Sequence, residues 1–153
     1  MGFAEAVAVC FRRFATFRGR ARRSEYWWFQ LFASVVWLPT MMVAASLWVS
    51  ALEGSVAPTK DPAIEPDSVR WGLLTLAAVI AFVVVVVIGI PTYAVTARRL
   101  HDLDRSAWWL LLAPLSLGFV LMVMAAFPGR RGANRFGPDP RLGAPAHLDV
   151  MPG

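Results

Sequence analysis

The chain of 153 residues holds a single cysteine, Cys10. No intramolecular disulfide is available, so the fold does not depend on an oxidising compartment. Histidine is almost as scarce, with His101 and His147 alone. Charge is missing altogether from three long stretches, 26–52, 71–97 and 106–129, whose polar side chains are limited to Ser, Thr and Gln30 apart from the aromatic rings. Proton- or ion-coupled carriers keep ionisable groups inside the hydrocarbon, where they are costly and functional. Their absence here argues against a transporter working as one protomer.

Hydrophobic content is 58%, charged residues make up 16%, and the mean hydropathy is +0.55. Each uncharged stretch reaches the ~20 residues that carry a helix across about 30 Å of hydrocarbon. The expected fold is an all-α membrane protein with three transmembrane helices, at about 26–50, 71–97 and 107–127, preceded by a short amphipathic interfacial helix within residues 1–18. Residues 19–142 then form one membrane domain, with a linker over 53–70 and a disordered tail over 143–153.

Phe3, Val7, Cys10, Phe14 and Phe17 recur every three or four residues, which is one face of a helix. That face lies in the headgroup plane or packs on the rest of the protein; the first reading is preferred because arginines surround it. A cleavable signal peptide fits poorly, since the apolar part is short and no small-residue cleavage site follows. Gly19 is expected to break the helix, and Glu25, three residues after Arg22, allows a local ion pair. Tyr26, Trp27 and Trp28 belong at the membrane interface. Pro39 removes the donor for the Val35 carbonyl, and Pro91 does the same for Val87. The β-branched run 83–88 would suggest a strand in water, but in lipid only a helix satisfies its backbone. Ser106 is placed to cap the third helix.

Between the second and third stretches lies Arg98-Arg99-Leu100-His101-Asp102-Leu103-Asp104-Arg105-Ser106-Ala107-Trp108-Trp109. One Arg or Asp at the centre of a bilayer costs roughly 2.5–3.5 kcal/mol on insertion scales, so this loop belongs at a membrane face. Six arginines precede the first stretch: Arg12, Arg13, Arg18, Arg20, Arg22 and Arg23. If the first two stretches both cross, these share a side with the loop, and that side is cytoplasmic. Arg130 and Arg131, just after the third stretch, spoil the pattern for three crossings. Either the rule is broken, or the segment around Pro114 and Gly118 dips in and returns; three crossings is the simpler reading.

Three segments carry a resemblance when taken in series: Phe17-Arg18-Gly19-Arg20-Ala21-Arg22-Arg23-Ser24-Glu25-Tyr26-Trp27, the Arg98–Trp109 loop, and Asn134-Arg135-Phe136-Gly137-Pro138-Asp139-Pro140. Together they resemble the domain-of-unknown-function 805 family of small bacterial inner-membrane proteins. The linker is longer than is typical of that family. The resemblance implies a multi-span inner-membrane protein, and it implies no activity.

Arg20, Arg22, Arg23, Arg98, Arg99 and Arg105 are expected to converge at one membrane face with Glu25, His101, Asp102 and Asp104. Mutual pairing would fix how the spans pack, and the excess of arginine would leave a site for anionic lipid headgroups. A structural or scaffold, lipid-interacting role is therefore expected, alone, as a homo-oligomer or with other membrane proteins, and without nucleic acid. The alternative is a subunit of a small oligomeric channel or transporter. A metal-dependent site at His101 and Asp102 is the weakest reading, because metal sites draw on three or four ligands with outer-shell support. Ser24 and Ser106 have no paired base for nucleophilic catalysis. No catalytic residue, cofactor or metal ligand is assigned.

Overall fold

The computed structural model describes residues 1–53 and 69–142. Most of the linker and the 143–153 tail lie outside the described residues, as does His147. All regular elements among the described residues are helical, apart from an isolated bridge between Asn134 and Gly137. In chain order they are α1 (Phe3–Arg12), α2 (Arg23–Leu52), α3 (Trp71–Val84), a π-helical segment (Val85–Gly89), α4 (Ile90–Asp102), a 3-10 segment (Ala107–Leu112), a second π segment (Ala113–Leu117) and α5 (Gly118–Ala126). Three helical runs, 23–52, 71–102 and 107–126, are long and apolar enough to cross a membrane, the third with a break inside it. The expected fold class is therefore present, with its short N-terminal helix ahead of the first run.

The chain divides into two compact units, 33–89 and a larger one formed by 1–32 with 90–153. In the first, α2 runs unbroken through Pro39, and Thr40 donates its hydroxyl to the Val36 carbonyl at 2.7 Å. At 1.5 Å per residue, the 30 residues of α2 extend about 45 Å. The Arg70 N–H donates to the Ala51 carbonyl at 3.1 Å, tying the end of α2 to the start of α3. The β-branched run is helical, and its backbone widens to π geometry over Val85–Gly89. Pro91 lacks an N–H for the Val87 carbonyl, and a π turn is a common local answer to such a break.

The second unit carries the charged groups. Its α1 is shorter than the spacing of apolar residues implies: it ends at Arg12, and Arg13 leaves helical geometry at φ −105°, ψ 38°. Phe14, Thr16 and Phe17 are middling helix formers that outnumber Ala15, so local propensity does little to prolong it. Phe14 and Phe17 therefore lie beyond the helix, and the chain reverses at Gly19, whose φ of +86° suits glycine. The remaining face packs inward. Ala6 and Cys10 are buried, Phe3 meets Trp28 edge-on at 5.8 Å, and Phe11 meets Phe29 and Phe32 at the same centroid distance.

The third run is broken between Pro114 and Gly118, where a change of direction is one of the two readings of the sequence. Ser106 caps it as expected, accepting from the Trp108 N–H at 3.3 Å. Helical geometry then fails at Leu115 and at Ser116, whose φ is +61°. A left-handed non-glycine residue costs roughly 1–2 kcal/mol and marks a true change of direction. Beyond it α5 returns. The Arg99 side chain donates to the Ala125 carbonyl at 3.0 Å and to that of Phe127, while the Arg130 N–H donates to the Asp102 carbonyl at 2.9 Å. At the entry, the Arg105 N–H donates to the Leu100 carbonyl at 2.9 Å. Both ends of the run are thus held at the last turn of α4, where a straight helix of this length would part them by about 30 Å.

Candidate functional site

Asp102 stands at the centre of the charged face, at the last residue of α4. Arg20 reaches one carboxylate oxygen twice, Nε at 3.0 Å and Nη2 at 2.8 Å, and Arg99 takes the other oxygen through Nη1. Arg20, Arg99 and Asp102 are buried almost completely. One acid between two arginines leaves a positive excess, and backbone carbonyls absorb it. Arg20 donates to the carbonyls of Gly132 at 2.6 Å, Gly137 at 3.3 Å and Arg130 at 2.5 Å. Arg99 serves the orphan carbonyls that every helix leaves at its C-terminus, here those of α5. Gly129 completes the packing: a Cβ at that position would fall on the Asp102 carboxylate.

A second buried pair lies between α2 and α4. Arg98 Nη1 is 3.0 Å from Glu25 Oε1, and the Cys10 Sγ approaches the same oxygen at 3.9 Å. The Ala21 N–H donates to the Arg98 carbonyl at 3.0 Å, so the start of α2 and the end of α4 are also joined through backbone. Burial, and then the Glu25 charge, push the Cys10 thiol up to about 12. A thiol held protonated is a poor nucleophile. Cys10 should therefore resist alkylation in the folded protein at pH 8 and react only after denaturation, which mass spectrometry of iodoacetamide-treated protein would reveal.

His101 and Asp104 extend the site outward. The His101 ring stacks on Phe136 with centroids 3.9 Å apart and planes 5° from parallel, and its Nδ1 lies 3.1 Å from the Gly19 carbonyl, which requires that nitrogen to donate. Arg135 lies over the Phe136 ring, its guanidinium carbon 4.7 Å from the centroid. Asn134 donates to the His101 carbonyl at 2.8 Å. Asp104 meets Arg130 at 2.7 Å and Arg135 at 3.4 Å in exposed pairs. Asp139 accepts from the Gly132 and Arg141 N–H groups at 3.0 Å each; these bonds, Arg141's first, hold its carboxyl below the usual range.

The ten residues singled out from the sequence thus divide. Arg20, Glu25, Arg98, Arg99, His101 and Asp102 are buried together in the larger unit. Asp104 pairs outward with Arg130 and Arg135 and not with the 20–23 stretch. Arg22 donates to the Pro140 carbonyl and makes no ion pair with Glu25, whose partner is Arg98. Arg23 and Arg105 are exposed and have no ion pair or hydrogen bond through their side chains among the described residues. The residues not singled out are Gly129, Arg130, Asn134, Phe136 and Asp139, which close the site from the C-terminal side. The order of the 134–140 segment after the other two motifs signalled Asn134, Phe136 and Asp139, Arg130 stood out only as a charge after the third stretch, and nothing signalled Gly129.

His101 and Asp102, the weak candidates for a metal site, are committed to Gly19, Phe136, Arg20 and Arg99. Among the described residues no three His, Cys, Asp or Glu side chains stand grouped to hold an ion. The chemistry on view is charge neutralisation and backbone capping.

The family described as "Protein of unknown function (DUF805)" matches residues 14–138. The inner membrane protein YhaH of Escherichia coli K12 is 36% identical over 137 residues, covering 86% of this chain and 92% of the relative. The inner membrane protein YhaI of the same strain is 30% identical over 135 residues, covering 87% and 92%. No solved structure matches the chain. The 14–138 match includes Arg20, Glu25, Arg98, Arg99, His101 and Asp102, while Cys10 and the 139–141 end of the closing segment fall just outside it.

Proposed function

The chain belongs to the DUF805 family and is an integral membrane protein, and on that premise we propose that it serves as a lipid-interacting scaffold of the bacterial inner membrane, with an arginine-rich face toward the cytoplasm. One observation carries this reading: buried and exposed arginines do different work. Arg20, Arg98 and Arg99 are enclosed with Asp102 and Glu25 and hold the face together. Arg12, Arg18, Arg23, Arg105 and Arg131 are exposed and pair with no acid among the described residues. Each arginine near an anionic leaflet contributes about 1 kcal/mol of attraction.

The path of the third run supports the orientation. If it enters and leaves at the same face, the six N-terminal arginines, the central loop and the arginines of 130–141 all lie on one side, and only Lys60 and Arg70 of the linker lie on the other, as the positive-inside rule favours. The chain then makes two full crossings and one re-entrant hairpin. Non-helical backbone at membrane depth is tolerated where protein packs on it. α1 belongs to the same face, its aromatic side on α2 and its arginines at the headgroups.

Single cysteines at Thr16 and Leu103 test the orientation. Membrane-impermeant maleimide should label both in inside-out vesicles and neither in intact spheroplasts, with Cys10 silent in both. Labelling of either from the periplasmic side would overturn the reading.

A further inference from the structure

A cavity of about 300 Å³ opens beside the start of α2, lined by Arg22, Arg23, Ser24, Asp102, Gly129 and Arg141, with Pro128 at its edge. We propose that it binds a phosphate group, a specific site within the lipid-interacting reading and dependent on it. The electrostatics come first. The only acid in the wall, Asp102, has both oxygens engaged by Arg20 and Arg99, so it presents a neutralised surface. Three guanidinium groups remain. Arg22 is anchored by Nε to the Pro140 carbonyl, and Arg141 by Nη2 to the Gly129 carbonyl at 2.6 Å. A guanidinium carries five donors, so both keep N–H groups free for a ligand while their positions are fixed. Arg23 has no side-chain partner among the described residues.

Planar forks of this kind match phosphate oxygens in pairs, and two anchored arginines lower the ordering cost of binding. Ser24 adds a hydroxyl that can donate to the same oxygens. A carboxylate would leave much of this donor set without acceptors, whereas a tetrahedral phosphate offers several oxygens in different directions. Arg141 shares its charge with Asp139 at 3.5 Å, but Arg22 and Arg23 have no acid partner.

Position identifies the source. Arg23 opens α2 only three residues before Tyr26, and the exposed Trp27 and Trp28 follow immediately. Pro128 follows Phe127, which is exposed at the end of the third run. Both walls thus rise from apolar runs at their interfacial ends, which is headgroup depth. An anionic phospholipid reaches this level with its phosphate; free phosphate reaches it from the cytoplasm and is the competing source.

Native mass spectrometry of the full chain in a neutral detergent tests the site, with phosphatidylglycerol, phosphatidylcholine and inorganic phosphate as probes. One tightly held phosphatidylglycerol is expected, and Arg23→Gln/Arg141→Gln should weaken it about tenfold or more. Arg12→Gln/Arg105→Gln, equal in charge change but away from the cavity, should leave it within twofold. Unchanged melting of Arg23→Gln alone, which removes no contact, controls for folding. Displacement of the lipid by millimolar inorganic phosphate would support the site and make free phosphate its ligand; resistance to it supports the lipid. Equal loss in both double variants would overturn the site while leaving the lipid-interacting reading intact. Absence of any preference for phosphatidylglycerol over phosphatidylcholine would overturn both.

Discussion

Replacing Asp102 with Asn should lower stability by about 3–5 kcal/mol, the usual result of removing one partner from a buried ion pair. The reason lies in what remains. Arg20 and Arg99 would still be enclosed, with backbone carbonyls but no counter-charge. The amide nitrogen of Asn would also face a guanidinium and could not accept from it. Because Asp102 connects Arg20, ahead of α2, with Arg99 on α4 and the α5 carbonyls, its loss should loosen all three at once. Asp104→Asn is the matched comparison. Its pairs with Arg130 and Arg135 are exposed, so less than about 1 kcal/mol is expected. Asn also tolerates the left-handed backbone that Asp104 adopts at φ 60°. Melting in detergent and abundance in the membrane fraction would show the difference. An Asp102→Asn variant that melts with wild type would contradict the structural role.

Gly129→Ala is expected to be nearly as damaging, although it adds one methyl. Its Cβ would overlap the Asp102 carboxylate. That carboxylate cannot step aside, since an arginine holds each oxygen. The backbone of 127–130 must move instead, and with it the Arg99 bonds to Ala125 and Phe127 and the Arg130 bond to Asp102. Overpacking of this kind costs about 1–3 kcal/mol, with the upper end expected where neighbours are clamped. Gly118→Ala offers the contrast. Nothing stands within 4 Å of a Cβ there, the φ is −57°, and alanine favours the helix. Since Gly129→Ala and Asp102→Asn disrupt one contact, their effects should combine to less than their sum.

Features read from local chemistry were legible in the sequence. Uncharged length marked the three runs, lipid forced the valine run into a helix, and Ser106 capped the third run. The pairing of Asp102 with the 20–23 stretch was also foreseeable, because the charge pattern assigns both to one membrane face. Its partner is Arg20, since the reversal at Gly19 turns that side chain inward while Arg22 and Arg23 face the cavity. What stayed hidden depends on tertiary contact. Glu25 has Arg22 at helical spacing, yet burial beside α4 gives it Arg98. α1 ends at Arg12 although the apolar spacing continues past it. The closing segment 129–141 acts largely through carbonyl oxygens, which every residue has and no composition reveals. The turn at Ser116 was foreshadowed by Pro114 and Gly118, but its direction depends on Arg99 capping α5.

The central claim is that the third run returns to the face it leaves. A single cysteine at Leu142, which is 81% exposed at the end of the described closing segment, tests it most directly. Two crossings and a hairpin predict labelling by impermeant maleimide only from the cytoplasmic side, matching Thr16 and Leu103. Labelling of Leu142→Cys from the periplasm, with Thr16→Cys and Leu103→Cys still cytoplasmic, would mean that the third run crosses and would contradict the account.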